Sequence, residues 1–363
     1  MRYLIFLGHP AHFHLFKNLI VELNLRGHQV KVLIRKKDIL DDLCIESGLE
    51  FENILPEFRK KGFLSTLISY LIKYRKISVI IKKFKPHLLL GSEPTLTHLG
   101  WYYKIPSFVF SEDDVKIIPQ FAKIAYPFVD VIMSPKACSA GKWEEKKIGY
   151  EGYHKMAYLH PKVFKPNKDL LNGINVNEKY FVIRFAQLNA YHDKNRTGIT
   201  NKTALKIISL LNNYGKVYIT SERDLGNEFE NYKLKTNPLH IHHLLYYAHI
   251  YIGDSQSMAV ESALLGTPCL RLNDFAGEIG VLNELENKYG LTHGFKTIDS
   301  EKMLQKLQEM LLNKNLREEY KFKREKMLTE KINVLDYFIW FIENYPESKQ
   351  TMKINSDFQY KFL

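Results

Sequence analysis

The chain runs to 363 residues, 45% of them hydrophobic, with a formal net charge of +12 and three cysteines. That length and apolar content fit two globular domains of ordinary size, and the cysteines form neither a metal-ligand spacing nor a paired framework. A basic balance of this size fits acidic partners, whether nucleotides, an anionic lipid surface or nucleic acid, and equally a basic surface that only keeps the protein soluble; unpaired cysteines fit a reduced, cytoplasmic setting.

Arg2 to Leu7 reads as a buried strand; it is too short, and turns polar too soon, for a signal peptide. Gly8 to His14 reads as a loop holding His9, His12 and His14. Leu15 to Arg26 has an apolar face at helical spacing and stops at Gly27, and His28 to Arg35 alternates as a strand. The three pieces make one βαβ unit, and the loop after its first strand is where open parallel sheets bind ligands. Lys36 to Leu49 reads as a helix and Phe51 to Ile54 as a short strand.

Arg59 to Lys76 mixes lysine and arginine with Phe63, Leu64, Leu67, Tyr70, Leu71 and Tyr74. Such a helix lies on an anionic membrane if Phe63, Leu67 and Tyr70 project outward, or packs on the sheet with its lysines in solvent. Its apolar run is too short to span a bilayer. His87 to Gly91 and Ile105 to Phe110 are strands with acidic turns at their carboxyl ends, Glu93 after the first and Glu112, Asp113 and Asp114 after the second. Asp113 and Asp114 also suit a helix cap. Val129 to Ser134 is a further strand, the chain turns irregular beyond Cys138, and Pro161 to Asn177 reads as a linker.

A second sheet opens at Tyr180 to Phe185. Arg184, near the carboxyl end of that strand, has a planar fork that suits a diphosphate, and His192 follows as a contact to the same group or a proton carrier. Thr203 to Tyr214 is a helix, and Lys216 to Thr220 a strand whose end offers Ser221, Glu222 and Arg223 to the ligand side. His240, His242 and His243 lie close together, but no Cys, Asp or Glu beside them completes a metal set.

Tyr251 to Leu272 is the most structured stretch: a strand, a Gly253-Asp254-Ser255 turn, a helix from Ser257 to Leu265, a stop at Gly266 and Pro268, and another strand. The amides of Gln256, Ser257 and Met258 have no helical acceptor, carry the positive end of the dipole, and suit a phosphate. Glu261, one turn in, is placed to accept hydrogen bonds from a ribose diol. An ordinary αβ unit with an Asp or Ser cap is the plainer alternative. Beyond it come a polar loop, Asn273 to Gly280, helices over Ser300 to Leu312, Leu316 to Thr329 and Val334 to Tyr345, and a polar tail from Lys349 that reads as frayed. No Walker loop, Gly-x-Gly-x-x-Gly motif, repeat or nucleic-acid module is present.

Asp254, Ser255, Glu261, Leu265, Gly266 and Pro268 resemble the donor-binding run of GT-B sugar-nucleotide enzymes, in particular the UDP-N-acetylglucosamine 2-epimerases, with Gln256 and Ser257 replacing two glycines. Gly253-Asp254-Ser255-Gln256, Leu265-Gly266-Thr267-Pro268 and Ala157-Tyr158-Leu159 resemble the domain-of-unknown-function family numbered 354 over nearly the whole chain. The first loop and the Arg26-Gly27-His28 helix end are similar to inverting GT-B glycosyltransferases, whose loop histidine is the general base; His12 takes that position.

The resemblance implies an α/β, GT-B-like fold of two Rossmann-like domains with parallel sheets facing a central cleft. Residues 1–165 would form the acceptor domain, 166–333 the donor domain, and 334–363 a helix returning to the first domain plus a tail. It implies an inverting, metal-independent glycosyltransferase that uses a nucleoside-diphosphate sugar, UDP-linked, and a glycan or lipid-linked acceptor of surface polysaccharide synthesis. It would need no cofactor or nucleic-acid partner, and the basic face would be its contact with the inner membrane surface. His12 would be the base, Arg184, Ser221 and the 255–258 amides would hold the diphosphate, and Glu261 the ribose. An alternative is a 2-epimerase moving protons through Glu93, Glu112 and His192, where Glu93 matches the epimerases' Asp and Glu112 their Glu with a one-residue shift. A third reading is a non-catalytic sugar-nucleotide binder, which Gln256 and Ser257 favour.

Overall fold

The computed structural model describes residues 1–55, 63–187 and 196–363, with side chains from residue 68 onward in the second of these segments. The chain divides into two compact units, Met1–Tyr158 with Ile332–Leu363, and Leu159–Lys331.

The first unit runs β1 (Arg2–Leu7), α1 (Pro10–Leu25), β2 (Gln29–Arg35), α2 (Leu40–Glu46), β3 (Glu52–Leu55), α3 (Phe63–Phe84), β4 (Leu88–Gly91), α4 (Pro94–Tyr103), β5 (Ser107–Phe110), α5 (Pro119–Ala125), β6 (Val131–Pro135), β7 (Lys147–Tyr150) and a turn of helix, α6 (Met156–Leu159). Its seven strands are parallel, in the order β3-β2-β1-β4-β5-β6-β7. Right-handed crossovers put α1 and α2 on one face and α3, α4 and α5 on the other. The strands are apolar on both sides because both faces are covered. Leu4, Phe6, Leu89, Ile77 and Ile81 share one core, and each such buried side chain contributes roughly 1.5–3 kcal/mol.

Four local readings change. Helix α1 starts at Pro10, so His12 and His14 lie in its first turns and not in a loop; the His9 ring caps it by accepting from the Ala11 amide at 3.2 Å. Proline at the first position needs no amide partner, and a histidine cap carries none of the usual Ser, Thr, Asp or Asn signal. Pro94 and Glu93 start α4 in the same way, inside the stretch read as a turn. Helix α3 continues past Lys76 to Phe84. The irregular stretch after Cys138 contains β7, an edge strand only four residues long.

The second unit runs β8 (Tyr180–Phe185), α7 (Asn201–Leu211), β9 (Lys216–Ser221), α8 (Ile241–Tyr247), β10 (Ile250–Gly253), α9 (Gln256–Leu265), β11 (Cys269–Leu272), α10 (Gly280–Asn287), β12 (His293–Phe295), α11 (Ser300–Leu312) and α12 (Leu316–Leu328). Its five parallel strands are ordered β12-β11-β10-β8-β9. Helix α9 is buried from Met258 to Leu265 and ends at Gly266 with φ 73°, a left-handed value that glycine adopts without strain.

The last segment returns to the first unit as α13 (Val334–Glu343) and α14 (Glu347–Ile354), and α13 packs on α1. The tail is not frayed. Gln359 is buried and accepts the Glu151 amide at 2.6 Å, and Phe358 and Phe362 pack on Trp340 at 4.8 and 5.6 Å. Aromatic anchors spaced among polar residues hold a segment that reads as hydrophilic by composition.

Strand order reverses between β1 and β4 in the first unit and between β8 and β10 in the second. The carboxyl ends of those pairs are where open α/β sheets leave a crevice for ligands.

Candidate functional site

In the second unit the switch point is built around the turn after β10. Ser255 has extended backbone, and its hydroxyl accepts the Met258 amide at 3.4 Å. The Gln256 and Ser257 amides therefore open at the carboxyl end of β10, where the helix supplies no acceptor for them.

Asp254 has no solvent exposure. Its carboxylate accepts the Ala186 amide at 2.6 Å and the Ile199 amide at 3.1 Å, with Arg223 at 3.7 Å. Burial raises its pKa; these hydrogen bonds and the Arg223 charge oppose the rise. A Cβ on Gly198 would lie 2.4 Å from the Asp254 carboxylate, so that close approach requires glycine. Asn273 donates to the Asp254 carbonyl at 2.9 Å. Asp254 thus ties together the chain after β8, β10 and β11.

Arg184 lies across from Gly253 in the sheet register and donates to Thr220 Oγ1 at 2.8 Å and to Glu222. Its guanidinium is held toward β9. The Ser221 hydroxyl donates to the Arg223 carbonyl at 2.6 Å and accepts the Arg223 amide at 3.1 Å, which closes the turn after β9. That turn carries Arg223 over the Phe185 ring, 4.9 Å from its centroid, and beside Asp254. Arg223 is a cation at this switch point that the strand-end pattern indicated only as part of a tripeptide.

Glu261 is buried on α9, and its carboxylate sits 3.2 Å from Nε2 of His242, itself buried on α8. His243 instead accepts the Asn167 amide at 3.0 Å, so it and His242 serve different partners. Among the described residues, no group of three His, Cys, Asp or Glu could hold a metal ion. His192 lies outside the described residues. In the loop after β11, Asp274 accepts from the amides and hydroxyls of Thr197 and Thr297. Burial pushes its pKa up, but those hydrogen bonds outweigh it and hold the carboxyl at about 2.

In the first unit the switch point holds His12. Its Nδ1 accepts the Gly8 amide at 3.2 Å. Burial, reinforced by His9, His154, Lys37 and Arg35, pushes its pKa down to about 3, so the ring is neutral. A neutral ring that accepts at Nδ1 carries its proton on Nε2.

Glu93 is buried and paired with Lys73 at 2.6 Å, and it accepts from the Thr95 hydroxyl at 3.0 Å. Glu112, at the end of the adjacent strand, is paired with Lys155 and accepts the His154 amide at 2.6 Å. Both carboxylates are thus engaged by lysines. Asp114 accepts the Ser139 amide at 2.8 Å and so braces the loop after β6. His154 carries no motif; burial, the dominant influence, pushes its ring down to about 4, and Phe110, Tyr150 and Phe338 surround it.

The chain is similar in fold to the UDP-GlcNAc 2-epimerase of Neisseria meningitidis solved with UDP-GlcNAc, at 17% identity and TM-score 0.67, covering 88% of this chain and 94% of that one. It is similar to the UDP-GlcNAc 2-epimerase of Methanocaldococcus jannaschii, at 14% identity and TM-score 0.63, covering 90% and 99%. It is also similar to the spinosyn rhamnosyltransferase SpnG solved with thymidine diphosphate, at 14% identity and TM-score 0.62, covering 95% and 100%. These likenesses establish a GT-B-like fold. No curated protein matches the chain. The model of the protein family of unknown function DUF354 matches residues 2–306, and the chain belongs to that family.

Proposed function

We propose that this protein is a GT-B enzyme that binds a nucleoside-diphosphate sugar, UDP-linked, in its second unit. The reaction we assign is metal-independent transfer of the sugar to a glycan or lipid-linked acceptor. The observation that carries this reading is the start of α9 at the β8–β10 switch point. A helix N-terminus opens there between strand ends that Asp254 braces, with Arg223 beside it. Oriented amides and a nearby guanidinium offset the charge that builds on a leaving diphosphate, which is the principal electrostatic demand of glycosyl transfer. Glu261, held by His242, is the group assigned to the ribose.

His12 takes a different role from the one its position implies. A general base needs a bare nitrogen toward the acceptor hydroxyl, whereas here Nε2 bears the proton. We assign it as a donor that orients a substrate oxygen.

That same tautomer favours a second reading, a UDP-sugar 2-epimerase, in which no acceptor hydroxyl has to be deprotonated. Turnover of UDP-N-acetylglucosamine in heavy water separates the two. Deuterium at the second carbon of the sugar supports the epimerase; transfer or hydrolysis with none there supports the transferase. Saturable UDP binding without either outcome across a donor panel leaves the binding function alone.

A further inference from the structure

Helix α3 contains no acidic residue, and across residues 63–111 the one acidic side chain is Glu93. Glu93 is buried and neutralises Lys73, the basic residue of α3 that points inward. Ile77 and Ile81 turn toward the core beside it. The opposite face is open: Ile68, Leu71 and Val79 are 54%, 61% and 59% exposed, and Ile72 is 40% exposed. Ile68, Ile72, Arg75 and Val79 follow one another at spacings of four, three and four, so they form one stripe along the helix. Exposed Lys76, Lys82 and Lys83 flank it. This is not the face that Phe63, Leu67 and Tyr70 would have formed: Tyr70 is half-buried, with Lys73 4.4 Å from its ring centroid, and the side chains of Phe63 and Leu67 lie outside the described residues.

Helix α4 packs against α3 in the same layer and exposes Trp101 and Tyr102 by 66% and 69%, next to exposed Lys104. No helix among the described residues is long and apolar enough to cross a membrane.

We propose that the outer face of α3, with Trp101 and Tyr102 beside it, docks the first unit on an anionic lipid bilayer. Aliphatic side chains along the middle of the stripe enter the acyl boundary, cations beside them meet phosphate headgroups, and Trp and Tyr sit at the level where one end is apolar and the other wet. The absence of exposed acid over this stretch removes the repulsion that an anionic surface would otherwise impose. A nucleic acid would use the cations but leave the isoleucine, leucine and valine side chains in water, so lipid accounts for more of the face. This inference concerns the surface alone and holds or fails independently of the assigned reaction.

The test is co-sedimentation of the full chain with vesicles of phosphatidylcholine alone and of phosphatidylcholine mixed with phosphatidylglycerol. Binding is expected to the anionic vesicles only, and to weaken about tenfold or more when salt rises from 0.1 to 0.5 M, because exposed charges are screened. Ile72→Glu with Val79→Glu, and separately Arg75→Glu with Lys76→Glu, should each weaken it about tenfold or more. All four positions are solvent-exposed, so unchanged thermal melts will show that the variants fold. Trp101→Phe should remove the blue shift of tryptophan emission on vesicles. Negligible pelleting with both lipids, equal pelleting with both, or full binding by the doubly substituted proteins overturns the proposal. So does tight binding to a single-stranded homopolymer with none to vesicles.

Discussion

The Gly8 amide donates to Nδ1 of His12 at 3.2 Å, and that contact decides which ring nitrogen carries the proton. It places the proton on Nε2, and burial keeps the ring neutral with a pKa of about 3. His12→Gln retains a side-chain N–H donor but no base, so it should keep most of the activity that His12→Ala loses. If His12 is a base, the two variants lose activity equally, by roughly a hundredfold or more. The sign of the pH effect follows from the same shift. The unfolded chain protonates this ring near pH 6.5 and the folded chain only near 3, so its contribution to stability is full above 6.5 and is lost as pH falls toward 3. Nitrogen NMR should find His12 as the neutral Nε2–H tautomer at pH 5.

Glu93 and Lys73 form a buried pair at 2.6 Å. Removing one partner strands the other charge and costs roughly 3–5 kcal/mol, whereas replacing both is far milder. Lys73→Met should therefore destabilise the protein sharply in urea, and Lys73→Met with Glu93→Gln should recover most of the loss. Activity close to wild type in that double variant would confine Glu93 to structure; loss of turnover with stability restored would return it to proton transfer.

Asp254 and Glu261 are buried carboxylates with different predicted effects. Asp254→Ala leaves the Ala186 and Ile199 amides and Arg223 without their shared acceptor, which should cost about 2–4 kcal/mol in denaturant unfolding. Glu261→Gln should leave folding nearly intact. It should weaken UDP by roughly ten- to a hundredfold, as expected for a lost hydrogen bond to a charged group, while binding of inorganic pyrophosphate stays the same.

Asp274 is held at about 2 by hydrogen bonds from Thr197 and Thr297. An unfolded aspartate titrates at about 3.9. The stability this group supplies is therefore present above that value and lost as pH falls toward 2. Asp274→Ala should lower stability at neutral pH and flatten the acid limb between those values. An unchanged acid limb would show that the threonine contacts do not persist in solution.

Much of the second unit is legible in the sequence, because β10, α9 and Gly266 carry dense local signals: β-branched residues, a serine cap and a left-handed stop. The Asp254 clamp is not, since its partners Ala186 and Ile199 are distant in the chain and donate through backbone. Arg184 reads as a diphosphate ligand at its strand end, yet Thr220 on the neighbouring strand and Glu222 just beyond it claim its guanidinium. The first turns of α1 and α4 read as loops because histidine and glutamate are uncommon caps and proline usually marks a break. The outward face of α3 follows from where Glu93 draws Lys73, a pairing that helical spacing alone does not contain.

We propose that the β8–β10 switch point binds a nucleoside diphosphate, and titration calorimetry with UDP on the full chain is the decisive measurement. Saturable one-to-one binding is expected, weakened about tenfold or more by Arg223→Ala and by Glu261→Gln and unaffected by the Ile72→Glu, Val79→Glu pair. No saturable binding of UDP or any other nucleoside diphosphate, or binding indifferent to both Arg223 and Glu261, would contradict it.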